Sequence, residues 1–248
     1  MHRFFISTDM IKNNLIEIDK QQSHHIEKVL RLRIGDSVEL FDGLGNVFNC
    51  RLHSNKNGVL QAEILSCSQH QNEPSVSIIL AQGIAKGEKM DYVIQKAVEI
   101  GVTAIIPFVS ERTIVMLDGK KAAQKTSRWQ TIAREACKQS KRNFVPEVKS
   151  VVEFPQLIAD LQHKRAVMLY EGEEKTKLRD ILHKFKGSLA SQSITIIVGP
   201  EGGFSPSEAE AAKKNSVIPI SLGSGILRTE TAGLVAASII LYEGGDLG

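Results

Sequence analysis

The sequence predicts an α/β protein in two parts, a small β-rich module followed by a mostly parallel sheet covered by helices. Three observations predict it. Residues 1–70 carry short alternating apolar runs broken by turn signals. Beyond Pro74, buried-type strands alternate with amphipathic helices. Two glycine-rich loops each join a strand to a helix start, the arrangement that opens a ligand crevice in parallel sheets. A chain of 248 residues has room for one large domain or two modest ones.

In the first part, one short helix is expected around Ser23 to Leu30, and Gly35-Asp36 marks a turn. Strands follow at Val38 to Phe41, Val47 to Leu52 and Val59 to Leu65. Asp42-Gly43, Gly45-Asn46 and Ser54 to Gly58 are the turns between them. The pattern fits a small β-barrel or sandwich, and the polar stretch Cys67 to Pro74 fits a linker. In the second part, Val76 to Ala81 is a continuous apolar strand. The helix after it places Met90, Val93, Ile94, Ala97 and Val98 on one face and stops at Gly101. Thr103 to Val109, Ala166 to Tyr170, Ser193 to Val198 and Val217 to Leu222 are further strands. Helices are expected at 125–139, burying Trp129, Ile132, Ala133 and Ala136, and at 229–242. Ser205-Pro206-Ser207-Glu208 spells a capping box with proline at the first helical position.

Composition excludes several classes. An apolar share of 42% supports a real core, and 24% charged residues argue against wholesale disorder. A net charge of +3 excludes a polybasic protein, but its distribution is uneven. Residues 1–70 balance eight basic against eight acidic side chains, whereas Glu111 to Ser150 carries ten against four, a local excess that suits phosphates. The three cysteines, Cys50, Cys67 and Cys137, form no disulfide framework, and a reducing cytoplasm is expected. No apolar run suggests a signal peptide or a membrane span. His24-His25 lacks metal-pair spacing, and no metal site is expected.

The two loops are 198–204 (Val-Gly-Pro-Glu-Gly-Gly-Phe) and 222–232 (Leu-Gly-Ser-Gly-Ile-Leu-Arg-Thr-Glu-Thr-Ala). Two such loops at one sheet edge suggest a nucleotide-sized site, because glycine lets the backbone approach a ligand. They match neither a P-loop nor a dinucleotide fingerprint, and no nucleophile elbow is present.

Five blocks then stand in one order. They are His25-Ile-Glu-Lys-Val-Leu-Arg-Leu-Arg33 with Gly35-Asp36, and Lys86-Gly-Glu-Lys-Met-Asp91 leading to 95–102. Arg134-Glu-Ala-Cys-Lys-Gln-Ser140 with Arg142-Asn143 and Val145-Pro146 is the third. Gly199-Pro-Glu-Gly-Gly-Phe-Ser205 and Ile226-Leu-Arg-Thr-Glu-Thr-Ala232 complete the set. In these the chain resembles the RsmE family, the small-subunit rRNA uridine-N3 methyltransferases of the SPOUT superfamily. One departure stands out: Ser224-Gly225 occupies the place of the family's Pro-Arg.

The resemblance implies a PUA-like RNA-binding β-barrel over 1–70 and, over 74–248, a SPOUT domain with a deep trefoil knot. It implies S-adenosylmethionine as cofactor, small-subunit (16S) rRNA or the small ribosomal subunit as substrate, and a homodimer without membrane attachment. The implied cofactor residues are Leu169, Glu171, Val198, Gly199, Gly203, Leu222, Gly223, Ile226, Leu227, Thr231 and Ala232. Arg228 is expected to stabilise charge developing on uridine oxygens, since a guanidinium stays protonated. Glu201 or Glu230 is expected to accept the N3 proton, or instead to pair with Arg228. The RNA-facing candidates are Arg3, His25, Arg31, Arg33, Lys86, Arg112, Arg134 and Arg142. The alternatives are a SPOUT enzyme acting on a different RNA position and a non-catalytic RNA-binding homologue. Cofactor binding separates the second of these.

Overall fold

The computed structural model describes the chain except residues 70–72, 116 and 186. It divides into two compact units, one of residues 1–73 with 137–145, the other of residues 74–136 with 146–248.

The first unit is built on six strands: β1 (His2–Phe5), β2 (Ile11–Lys12), β3 (Leu15–Ile18), β4 (Ser37–Phe41), β5 (Asn46–Lys56) and β6 (Val59–Gln69). They hydrogen-bond in the order β1-β4-β5-β6-β3-β2. Alternation sends Phe4, Ile16, Ile18, Val38, Leu40, Cys50, Leu52, Leu60 and Ala62 into one core with Ile26. The β5–β6 hairpin is longer than expected because its turn is tighter. Asn57 and Gly58 both take positive φ, the requirement of a two-residue twisted hairpin turn, so pairing continues to Lys56–Val59. Register shifts after Asn49 and Leu52 bend β5. Of the expected linker, Cys67–Gln69 belongs to β6, and residues 70–72 lie outside the described residues.

Helix α1 (Lys20–His24) begins earlier than expected because Asp19 caps it, accepting from Gln22 N–H at 2.9 Å. It passes into a π-turn over His25–Val29. Residues 137–145 join this unit as a strap across the Asp42–Asn46 turn. Val145 N–H donates to Gly43 O at 3.0 Å, and Gly45 N–H to Asn143 O at 3.1 Å. A Cβ on Gly45 would stand 2.5 Å from the Phe144 ring, so the glycine is required there by contact as well as by its φ of 104°.

The second unit centres on strands β7 (Ile78–Gly83), β8 (Ala104–Val109), β9 (Glu147–Val148), β10 (Val152–Glu153), β11 (Arg165–Leu169), β12 (Ile194–Val198) and β13 (Ile218–Ile220). All pair in parallel in the order β10-β8-β7-β12-β11-β13, with β9 also on β8. Helices α2 (Lys89–Ile100), α3 (Gly119–Ser140), α4 (Phe154–Asp160), α5 (Leu178–Phe185), α6 (Pro206–Lys214) and α7 (Thr229–Gly244) complete it. α2 buries the five apolar residues read from its sequence and ends at Gly101. α3 starts well before residue 125, because Asp118 caps it by accepting from Lys121 N–H at 2.8 Å. The capping box at Ser205 and Glu208 is formed in both directions.

Burial sets the cysteine chemistry. Desolvation pushes the Cys50 thiol to about 12 and Cys137 to about 11, whereas Cys67 is exposed. A thiol-specific disulfide reagent at about pH 8 is therefore expected to titrate Cys67 alone in the native chain and all three thiols in urea. Fast reaction of a second native thiol would contradict this burial.

Candidate functional site

The glycine loops meet at the carboxyl ends of β11, β12 and β13 and enclose a cleft of about 810 Å³ in the second unit. Three connections wall it: residues 170–177 after β11, 199–204 after β12 and 221–228 after β13. That is where a parallel sheet opens for a ligand.

The 199–204 loop is held tightly. A Cβ on Gly83, at the end of β7, would stand 2.6 Å from Pro200 N, so two backbones touch there and only glycine fits. Thr229, at the start of α7, donates its hydroxyl to Gly199 O at 2.5 Å and accepts from Gln82 Nε2 at 2.9 Å. Gln82 and Thr229 are both buried. Glu208 accepts from Ser205 N–H and Glu111 N–H, each at 2.9 Å, and Arg112 Nη1 donates to Gly202 O at 3.1 Å. The loop is thus anchored by β7, α6, α7 and the turn after β8.

Ten of the eleven residues expected to hold the cofactor line this cleft: Leu169, Glu171, Val198, Gly199, Gly203, Leu222, Gly223, Ile226, Leu227 and Ala232. Thr231 is exposed outside the lining, because it lies two residues into α7 while the wall passes through Thr229, Glu230 and Ala232. Arg228, Glu201 and Glu230 line it as well. Arg228 reaches out with 84% of its side chain exposed, 4.0 Å from Glu230, too loose a pair to occupy it structurally.

A residue with no assigned role organises the two acids. Lys89, the first residue of α2, lies 3.3 Å from Glu201 and 3.4 Å from Glu230. Lys86 N–H also donates to Glu201, at 3.0 Å. Partial burial alone would raise the Glu201 carboxyl. Hydrogen bonds from its own and the Lys86 backbone N–H, with Lys89, outweigh burial and hold it below the ordinary glutamate value. Glu201 is therefore a weak proton acceptor and a strong tie between the 199–204 loop and α2. Lys89 was not singled out because it opens a helix read for its apolar face, and Gln82 because it lies just past the apolar strand expected over Val76 to Ala81. For Lys89 the block Lys86–Asp91 was the available signal.

The RNA-facing candidates divide between the units. Lys86 and Arg112 flank the 199–204 loop, and Arg134 is exposed on α3. His25, Arg31 and Arg33 are exposed on the first unit. Arg3 and Arg142 are corrected by their burial. Arg3 donates to Arg142 O at 3.0 Å and Asn143 Oδ1 at 2.5 Å, and Arg142 Nε donates to Glu73 at 3.1 Å. Both guanidiniums tie the 137–145 strap to the unit and are not RNA-facing surface charges.

The family model for an RNA methyltransferase domain matches residues 71–241, and that for an RNA methyltransferase PUA domain matches 18–61. The Bacillus subtilis ribosomal RNA small subunit methyltransferase E is 35% identical over 98% of this chain and 97% of that protein. Its counterpart in Buchnera aphidicola of Schizaphis graminum is 32% identical over 99% and 97%. A crystal structure of the Neisseria gonorrhoeae ribosomal RNA small subunit methyltransferase E bound to S-adenosyl methionine superposes with a TM-score of 0.86 at 36% identity, covering 96% of each chain. A Legionella pneumophila methyltransferase in complex with the same cofactor gives 0.85 at 32% identity, again covering 96% of each chain. A sheet with glycine-walled loops at its carboxyl edge, a PUA module ahead of it and full-length similarity of this degree lead to one conclusion: the chain belongs to the ribosomal RNA small subunit methyltransferase E family of RNA methyltransferases.

Proposed function

We propose that the protein is an S-adenosylmethionine-dependent methyltransferase of small-subunit rRNA that methylates N3 of a uridine. The observation that carries the reading is the cleft. Its volume suits a nucleoside-sized ligand, and its walls join apolar side chains (Leu169, Leu222, Ile226, Leu227) to glycine backbone. Five lining carboxylates, Glu171, Glu173, Glu174, Glu201 and Glu230, face three cations, Lys89, Lys177 and Arg228, a surplus that fits a cationic sulfonium.

The cofactor, when bound, supplies an electrophilic methyl group on sulfur. The chain's own part is to hold the uridine in line and manage its charge. N3 carries a proton, and as that proton leaves, negative charge spreads to O2 and O4. Arg228 donates to one of those oxygens. Glu230 accepts the proton, since Glu201 is held in its ionised form by Lys89 and the loop N–H groups. The N3–H bond breaks as its proton passes to Glu230, and the electron pair left on N3 forms the new bond to the methyl group that the bound cofactor would give up from its sulfur.

The same proposal includes the trefoil knot, supported by β12 lying between β7 and β11 while the later helix α7 packs on β7, β12 and α2. It includes a homodimer, supported by Ile239 and Tyr242 standing exposed on α7. It also includes a cytoplasmic setting. No helix of the described residues is long and apolar enough to cross a membrane.

Calorimetry is expected to give saturable S-adenosylmethionine binding. Mass mapping of rRNA treated with the enzyme is expected to place one methyl at N3 of a uridine. Absence of heat would remove the enzyme reading, and a different modified base would remove the N3 assignment.

A further inference from the structure

Lys89 is a cation in an unfavourable place for a helix. It is the first residue of α2, where the positive end of the helix dipole favours acids, and Glu88 before it makes no side-chain cap. A lysine kept at that position points to a use outside α2. Its ammonium lies in the wall of the methyl-transfer cleft, 3.3 Å from Glu201 and 3.4 Å from Glu230.

The two carboxylates depend on it unequally. Glu201 also accepts from Lys86 N–H at 3.0 Å. Glu230 Oε2 is buried and accepts no hydrogen bond among the described residues. Arg228 approaches the other oxygen of Glu230, at 4.0 Å and from a largely exposed side chain, so Lys89 is the closer of the two cations. A buried carboxylate oxygen without hydrogen bonds needs such a charge beside it, and it keeps its lone pairs for an incoming proton. On α2 itself Asp91 is taken by Arg128, which leaves Lys89 to the cleft. The other titratable groups of the lining, Tyr170, Glu171, Glu173, Glu174 and Lys177, belong to the connection after β11.

We propose that Lys89 is a positioning residue for methyl transfer: it acts through Glu230, compensating the charge of that carboxylate and turning it to the cleft to take the N3 proton. The inference rests on the reading of the chain as a uridine-N3 methyltransferase with Glu230 as proton acceptor. The proton that leaves N3 ends on Glu230, and Lys89 itself transfers none.

Lys89→Met keeps the length of the stem and removes the charge. Two carboxylates then lose the cation they share, and neighbouring carboxylates without one tend to retain a proton. Lys89 is also among the groups that hold the Glu201 carboxyl low, so its loss acts on both acids in the same direction. A protonated Glu230 accepts nothing, and the deficit should deepen as pH falls. Single-turnover methylation of unmodified small ribosomal subunits at saturating S-adenosylmethionine is expected to be about tenfold slower in the variant at pH 6, and within about twofold of the parent at pH 8.5. The field of the α7 N-terminus is present in both chains and cancels from this ratio. Lys89→Arg should restore a ratio near one at both pH values, and Lys89→Gln, with a polar end, should repeat the methionine profile. In a Glu230→Gln background, Lys89→Met should cost no more than about a further twofold, because the residue it acts through is already gone. A parent-to-variant ratio that is the same at pH 6 and pH 8.5 would overturn the proposal and leave Lys89 a structural tie between α2 and the 199–204 loop. A full further loss in the Glu230→Gln background would overturn it as well. Either result leaves the methyltransferase reading standing. A parent chain that methylates no uridine would overturn that reading, and this inference with it.

Discussion

Arg228→Ala is expected to slow methyl transfer about 10²–10³-fold, the range for removing one donor that meets charge only in the transition state. The side chain is 84% exposed and its approach to Glu230 is 4.0 Å, so little folding energy depends on it. A surface truncation of this kind alters stability by about 0.5 kcal/mol or less. The two readouts should separate: single-turnover rate falls steeply, while the urea midpoint and S-adenosylmethionine affinity stay near the parent values. Equal losses in kcat and kcat/KM would mark an interaction made only in the transition state. A near-normal rate would remove Arg228 from the mechanism, and a rise in KM alone would make it a binding residue.

Thr229→Val should do the reverse, damaging the fold of the site before its chemistry. The substitution keeps the volume and deletes a buried hydroxyl that serves two partners. Gly199 O loses its donor and Gln82 Nε2 loses an acceptor, although Gln82 keeps a bond to Gly83 O at 3.1 Å. Stranded buried polar groups cost about 1–3 kcal/mol each, so a stability loss of about 2–4 kcal/mol is expected from urea unfolding. Cofactor affinity should fall with it, because the same hydroxyl fixes the cleft's Gly199 wall. Thr229→Ser keeps the oxygen and should stay within about 1 kcal/mol of the parent. A valine variant as stable as the parent would show that the β7–α7–loop link carries no weight.

Much of this architecture is legible in the sequence where the cause is local. The α2 face, the Gly101 stop and the Ser205–Glu208 box each depend on residues within a few positions, and each forms as expected. The cleft walls were legible because glycine loops after buried strands have few other uses at one sheet edge. What escaped depends on distant partners. Arg3 reads as a surface cation until residues 142 and 143 are placed beside it. Gln82 follows the apolar run Val76 to Ala81, and nothing nearby in the chain tells that its amide meets Thr229. Lys89 reads as the polar start of an amphipathic helix, yet it binds Glu201 on the 199–204 loop and Glu230 in the first turn of α7. The early start of α3 was local, but Gly119 masked the capping role of Asp118.

The 137–145 strap has a consequence for how the protein is made. The β-rich module at the N-terminus is encoded in two stretches, and its last piece follows about sixty residues of the other unit. On the ribosome, the first 73 residues emerge with the Asp42–Asn46 turn uncovered and the guanidinium of Arg3 lacking Asn143. At about 5–20 residues per second, several seconds pass before the missing piece is synthesised. Completion of the first module is thereby tied to synthesis through the middle of the second, and a truncated transcript ending at residue 73 would yield an unfinished module.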